Sequence, residues 1–375
     1  MNTGPVRIVM VVTNDLEGDQ RVHKMALTLM KKGWDILVIG RKLPASGNLD
    51  RPYGTSRLRL LFNKGPLFYA CFNIRVFFLL LATKASLFVA NDLDTLPAVW
   101  LASRIRMKPL VYDSHEYFTE VPELVGRKRE QKIWKFIERS IQPRLINVVT
   151  VNHSIARIFN EEYGREVKVV LNFPICESPG QITGYLPPGF ANSPLIIYQG
   201  AVNKGRGLEQ LIGALPELPE YNVIVAGGGD LLGKIKDMVR SAGLSERVYF
   251  TGKVPFEELK WYTAQAMVGI SLEQDIGLNY RYSLPNKLFD YMRAGLPVVA
   301  SDLPEISRLV RRSGSGILVS DFSPDSLAGV FRKLLEDRDL RKKLSDNARM
   351  NSGDYCWEKQ EELILDIFEG ALGKR

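Results

Sequence analysis

The run Leu195-Ile-Ile-Tyr-Gln-Gly-Ala-Val-Asn-Lys-Gly-Arg-Gly-Leu-Glu-Gln-Leu-Ile212 decides the fold. Leu195–Gln199 is uncharged and apolar enough for a short buried strand, and the glycines at 200, 205 and 207 mark a loop. Leu208, Leu211 and Ile212 then recur at helical spacing through a helix Leu208–Leu215, and Asn222–Ala226 reads as the next strand. A strand, a helix and a second strand make the building block of a parallel sheet. The alternation continues with helix Leu231–Ala242, strand Val248–Thr251, a helix around Phe256–Ala266 and strand Val268–Leu272. Helix Asn286–Arg293 and strands Pro297–Ser301 and Gly316–Val319 follow. Ligands of such doubly wound α/β sheets bind beyond the C-terminal ends of the strands.

The first half of the chain repeats the pattern. A β-branched run, Ile8–Val12, leads through the polar loop Thr13–Gly18 into a helix whose Val22, Met25, Ala26 and Leu29 share one side. Gly33 closes that helix and strand Asp35–Gly40 follows, with further strands at Leu87–Ala90, Leu110–Tyr112 and Val148–Val151. Between the halves, Pro174, Pro179, Gly180, Gly184, Pro187 and Pro194 break the rhythm as a linker does. At 375 residues two domains are expected: 1–172, a linker 173–194, and 195–352, with a C-terminal helical stretch over 353–375.

With 45% hydrophobic and 25% charged residues, the composition is that of a soluble globular protein. A net charge of +8 favours acidic partners: phosphates, nucleic acid or an anionic membrane surface. The basic residues are scattered and no DNA- or RNA-binding module is recognisable, so nucleic acid is the weakest of these. Cys71, Cys176 and Cys356 form no CxxC pair, so each is expected as a small apolar residue and no disulfide is expected. Met1 runs into an apolar strand without the pattern of a signal peptide, and a cytoplasmic location is expected. Leu67–Ala82 is the most hydrophobic segment, but it is short for a span and carries Asn73 and Arg75, which favours a packed helix.

The densest motif is Ser283-Leu-Pro-Asn-Lys-Leu-Phe-Asp-Tyr-Met-Arg-Ala-Gly-Leu-Pro-Val-Val-Ala-Ser301. Pro285 suits a first helical turn, where free N–H groups beside Lys287 favour phosphate. Asn286, Lys287 and Asp290 are spaced for one helix face, and Asp290 could accept hydrogen bonds from ribose hydroxyls. The stretch resembles the sugar-nucleotide signature of retaining glycosyltransferases of family 4 (glycosyl transferases group 1). That resemblance implies the GT-B fold, in which two Rossmann-like domains face a central cleft. It also implies that Ser283, Leu284, Asn286, Lys287 and Asp290 bind a nucleotide diphosphate sugar.

Tyr198–Ile212 resembles the family's loop in which two basic side chains grip the donor diphosphate, and here Arg206 and Lys204 are the candidates. Such cations stabilise charge on the departing nucleotide. The usual Arg after the first Gly is replaced by Ala201. Ala226-Gly-Gly-Gly-Asp230 resembles the family's nucleotide-side glycine segment, which adds Gly228, and Thr251–Leu259 resembles the turn beside the base, which adds Lys253 and Val254. The family's acidic pair is spaced Glu-x7-Glu, but the place eight before Asp290 is Tyr282, which leaves Glu273 or Asp275 for the first acid.

In the first half, Gly18 precedes a helix start and can approach a sugar or phosphate closely, while Asp19 reads equally as a helix cap. Tyr112-Asp-Ser-His-Glu116 follows a strand, and His115 resembles the family's histidine that contacts the transferred sugar; His23 and His153 are the alternatives. Asn91-Asp-Leu-Asp94 is the nearest approach to a metal-binding DxD, but the family generally needs no metal, and these acids are expected on the acceptor side. Arg127, Lys128, Arg129, Lys132, Lys135 and Arg139 accompany Ile133, Trp134, Ile137 and Ile141 on one helix. That pattern suits either an anionic membrane surface or an ordinary amphipathic helix with Trp134 in the core.

The implied activity is sugar transfer with retention from a UDP- or GDP-linked donor to a hydroxyl of a glycan or lipid-linked acceptor, without a metal or other cofactor. His115, Lys204 and Arg206 would be catalytic, with domain closure bringing His115 and Gly18 over the sugar. A sugar-nucleotide epimerase of the same fold is the alternative.

Overall fold

The computed structural model describes residues 5–44, 46–124, 126–176 and 184–373. Pro179 and Gly180 of the expected linker lie outside the described residues. The chain divides into two compact units, Met1–Asn172 with Trp357–Arg375, and Phe173–Cys356.

The first unit runs β1 (Arg7–Asp15), α1 (Gln20–Lys31), β2 (Asp35–Arg41), β3 (Gly54–Leu58), α2 (Gly65–Ala82), β4 (Leu87–Asn91), α3 (Leu96–Ile105), β5 (Leu110–Ser114), α4 (Lys128–Ile141), β6 (Asn147–Thr150), α5 (His153–Tyr163) and β7 (Lys168–Val169). All seven strands are parallel, in the order β3-β2-β1-β4-β5-β6-β7. Ile8–Val12 and Leu87–Asn91 are buried without alternation, as central strands covered on both faces must be. Asp19 caps α1 by accepting from the Val22 N–H at 3.1 Å, so the cap alternative at this position is realised.

The second unit runs β8 (Leu195–Gln199), α6 (Leu208–Ala214), β9 (Asn222–Ala226), α7 (Leu232–Ser241), β10 (Val248–Gly252), α8 (Phe256–Gln265), β11 (Val268–Ser271), α9 (Leu278–Arg281), α10 (Lys287–Ala294), β12 (Val298–Ser301), α11 (Pro304–Ser313), β13 (Gly316–Val319), α12 (Pro324–Glu336) and α13 (Arg338–Ser352). The order β10-β9-β8-β11-β12-β13 is that of the first unit's six main strands. Strands β8, β9 and β11 supply Ile196, Val223, Val225 and Ile270 to a core closed by Leu211, Phe331 and Leu334. Both sheets reverse direction at the strand where the unit begins, between β1 and β4 and between β8 and β11, and the C-terminal ends of those strands are the ligand positions of the fold.

The chain finishes in α14 (Glu361–Ala371), part of the first unit. It docks on α1 through Lys31–Glu361 (2.6 Å) and Lys32–Glu369 (2.7 Å), and just before it Trp357 donates to the Thr28 hydroxyl at 2.8 Å.

Two expectations need correction. Cys176 and Cys356 form a disulfide, with Cα atoms 5.5 Å apart, and only Cys71 is free among the described residues. The pair is 180 residues apart and meets because the second unit begins and ends at neighbouring points, which spacing along the chain does not reveal. The apolar helix α2 is packed on only one side. Phe68, Phe72, Val76 and Leu80 lie in the core, but the opposite face is open to solvent. Its polar residues have partners: Asn73 donates to the Asp94 carbonyl at 2.8 Å and accepts from the Ala98 N–H at 3.1 Å, and Arg75 donates to the Arg59 carbonyl.

Candidate active site

In the second unit the loops after β8 and β11 meet. Gly205 and Gly207 have φ of +79° and +78°, and a Cβ on either would strike the β11 loop, at 2.5 Å from Ile276 and 2.2 Å from Leu272 respectively. Only glycine allows this left-handed, close-packed course. It sets Arg206 between them, 3.5 Å from the Glu273 carboxylate and with its guanidinium 4.7 Å from the Tyr280 ring.

Glu273 is fully buried. Its Oε1 lies 2.9 Å from the Lys287 ammonium and its Oε2 accepts from the Ser271 hydroxyl at 2.6 Å. Ser301 holds the Glu273 carbonyl by a 2.7 Å hydrogen bond. Lys287, 7% exposed, also stands 4.4 Å over the Tyr198 ring. Burial alone would raise the Glu273 pKa, but Lys287 and Arg206 hold it below the usual carboxylate range. Burial lowers the Lys287 pKa, with Glu273 opposing. Two cations around one carboxylate leave a net positive charge beside the start of α10, the arrangement that a diphosphate needs.

Asp290 lies on the same helix, where its carboxylate accepts from Gln199 Nε2 at 2.7 Å and Gln199 in turn accepts from the Thr263 hydroxyl at 2.8 Å. The expected common face of Asn286, Lys287 and Asp290 is therefore divided. Asn286 is exposed, Lys287 points inward to Glu273, and Asp290 is half-buried against the end of β8. Ser283 and Leu284 are half-buried just ahead of the helix, with the Ser283 hydroxyl donating to the Tyr280 carbonyl at 2.8 Å. Lys204 is exposed, and its carbonyl accepts from the Tyr280 hydroxyl at 2.9 Å.

The segment Gly227–Gly229 has a packing reason of its own, because a Cβ on Gly227 would lie 1.9 Å from the Gly200 carbonyl oxygen. Gly228 has space, with the Lys253 side chain 3.6 Å from such a Cβ, so these two candidates are neighbours; Val254 is half-buried beside Lys253. Between the two acids left open by the sequence, Glu273 is the one joined to Arg206 and Lys287. Asp275 is half-exposed and pairs with Arg281 at 2.8 Å.

In the first unit, the ends of β1, β4 and β5 build a second polar cluster. Arg21, on the first turn of α1, clamps Asp113 through two bonds of 3.0 and 2.7 Å and donates to the Val170 carbonyl at 2.9 Å. His115 lies between carboxylates, Nδ1 3.4 Å from Asp92 and Nε2 3.3 Å from Asp113. Burial would lower its pKa, but the charges of Asp92 and Asp113 outweigh that and raise it. Burial raises Asp92, with the His115 charge opposing, and raises Asp94 to about 7.

Asp92 has a positive φ of 63°, and its carboxylate accepts the His115 backbone N–H at 2.7 Å. Asp94 accepts from the Thr13 hydroxyl at 2.6 Å. The two acids of the Asn91–Asp94 segment thus hold different protein groups. Gly18 is exposed with open space around it. His23 bonds the Tyr53 hydroxyl at 2.9 Å and His153 is exposed at the start of α5, so neither joins this cluster. The sequence reading missed Arg21, whose partner lies 92 residues away, and the rings of Tyr198 and Tyr280 beneath the two cations.

Two doubly wound units, each with its polar cluster at the switch of strand order, define the GT-B class. Solved structures agree on that fold: a sucrose-phosphate synthase from Thermosynechococcus elongatus has a TM-score of 0.78 at 18% identity, covering 99% of this chain and 100% of its own. The Anabaena protein HepE in complex with UDP-glucose has a TM-score of 0.73 at 16% identity, covering 97% and 99%. Residues 188–351 match the family described as Glycosyl transferases group 1. An uncharacterized glycosyltransferase of Methanocaldococcus jannaschii is 26% identical over 297 residues, 75% of this chain and 73% of that one. The chain spans less than half the length of several other curated relatives that it matches. The family match, which lies within the second unit, the curated relatives and the solved structures all point to the glycosyltransferases of the group 1 type.

Proposed function

We propose that this chain is a retaining glycosyltransferase of family 4 that moves a hexose from a UDP- or GDP-linked donor to a hydroxyl of a glycan or lipid-linked acceptor. The observation that carries the donor side is the meeting of Arg206, Lys287 and Glu273 at the strand switch of the second unit. The acceptor oxygen forms the new bond at the anomeric carbon as the bond to the nucleotide diphosphate breaks, and the hydroxyl proton leaves with the departing phosphate. Arg206 and Lys287 stabilise the charge that develops on that phosphate, in the place a metal takes in other transferases. Lys204, at the exposed edge of the same loop, and Asn286 at the start of α10 bind the diphosphate. Asp290, oriented by Gln199, holds the ribose. Gly228, Lys253 and Val254 border the base.

In the first unit, His115, its ring fixed by Asp92 and Asp113, and Gly18, with open space around it, are the residues assigned to the transferred sugar. A cytoplasmic location supplies such donors. The test is a screen of nucleotide sugars for thermal stabilisation, followed by incubation of the stabilising donor with and without candidate acceptors. Release of nucleotide diphosphate and an α-linked product from an α-linked donor support the reading. A changed sugar still attached to its nucleotide, formed without acceptor, would show an epimerase instead.

A further inference from the structure

The outer face of α2 is built as though it were a core. Leu67, Ala70, Ile74 and Phe78 follow one another at spacings of three or four residues along the solvent side, and Phe78 is 64% exposed. The stripe continues onto neighbouring elements. Leu61 and Phe62 are exposed just before the helix, and Leu101 and Ile105 are exposed on α3, which packs beside it. On the other side the Tyr69 ring meets Trp134 of α4 edge-on at 5.1 Å, and α4 exposes Ile133 and Phe136. An apolar surface of this extent marks contact with another molecule or with lipid.

The charge around it selects the occupant. From Arg59 to Lys108 the only acids are Asp92 and Asp94, and both are turned into the His115 cluster. The exposed charges of the same stretch include Lys64, Arg75 and Arg104, all positive. On α4, Lys128, Arg129 and Lys132 are exposed and make no ion pair among the described residues. An apolar stripe flanked on both sides by unpaired cations is complementary to a layer that is hydrocarbon beneath and phosphate above. The helix does not cross that layer, because Phe68, Phe72, Val76 and Leu80 anchor it in the core of the first unit.

We propose that α2, with the adjoining faces of α3 and α4, seats the first unit on an anionic phospholipid bilayer. The apolar stripe enters the boundary between headgroups and acyl chains, and the flanking lysines and arginines contact lipid phosphates. The proposal is independent of the donor and of the acceptor.

Sedimentation of the full chain with vesicles of phosphatidylcholine, with or without phosphatidylglycerol, tests it. Binding to the anionic vesicles is expected to weaken with added salt, and binding to neutral vesicles to be at least about tenfold weaker. Ile74→Glu with Phe78→Glu should lower anionic binding by at least about tenfold, and Lys128→Glu with Lys132→Glu should remove the preference for anionic lipid. All four positions are exposed, and circular dichroism with the melting temperature confirms that the variants fold. No binding to anionic vesicles at low salt, or binding that the α2 changes leave intact, overturns the proposal. It is equally overturned by a dimer in light scattering that Ile74→Glu with Phe78→Glu dissolves, since a second copy would then cover the face.

Discussion

The carboxylate of Glu273 lies 2.9 Å from the ammonium of Lys287, and both side chains are buried. Breaking a buried pair leaves the other charge uncompensated, which costs about 3–5 kcal/mol. Glu273→Gln is therefore expected to lower the unfolding free energy by an amount in that range, read as a lower urea midpoint with the slope unchanged. Adding Lys287→Met should recover much of the loss, because the double variant buries no charge. A double variant as unstable as the sum of the two single ones would mean that the pair is not coupled.

Arg206 has a different balance. Its side chain is 29% exposed and its ion pair is longer, at 3.5 Å, so Arg206→Ala should fold nearly as well as the parent. The same change removes a cation aimed at the departing diphosphate, and turnover should fall by about 10²–10³-fold. Near-normal turnover would remove Arg206 from the chemistry.

Asp290 is expected to act in binding, because it sits beyond Lys287 on the helix and is oriented by the Gln199–Thr263 chain. Asp290→Ala should raise the donor KM by about tenfold with little change in kcat, the result of losing contacts made equally in ground and transition states. Gln199→Ala should shift KM in the same direction through the lost orientation. A loss confined to kcat would place Asp290 nearer the reacting atoms.

The first unit makes stability depend on pH in a definite sense. His115 is raised from 6.5 to about 9, so above pH 6.5 the native state keeps a proton that the unfolded chain has released. That contribution is complete below 6.5 and is lost as pH rises through about 9. Asp92, paired with His115 and raised by burial, acts in the same direction. The lowered carboxylates Asp113 and Glu273 add no slope in this window, since they are ionised in both states there. Urea midpoints should fall between about pH 6 and about pH 9, and His115→Gln should flatten the fall. A midpoint that rises over this range would contradict the assigned protonation.

Much of the fold is legible in the chain. The uncharged runs at Leu195–Gln199 and Asn222–Ala226 are strands with those bounds, since a strand covered on both faces must be apolar along its whole length, and the apolar edge strand Gly316–Val319 also has the bounds read for it. The edge strands β3 and β7 escaped the reading because Gly54–Leu58 and Lys168–Val169 are half-exposed and lack that signature. Of the candidate site, the sequence put forward Lys287 and Asp290 as residue types at a helix start, and Arg206 through the resemblance of its loop to the family's donor loop.

Only the tertiary structure decided that Lys287 turns inward to Glu273, that Arg21 reaches across 92 residues to Asp113, and that Cys176 meets Cys356. It also decided which apolar face of α2 is covered and which is left open. The reason is common to these cases. Periodicity and turn chemistry act between residues close in the chain, whereas the choice of charge partner and the covering of a face depend on which strand ends the sheet order brings together.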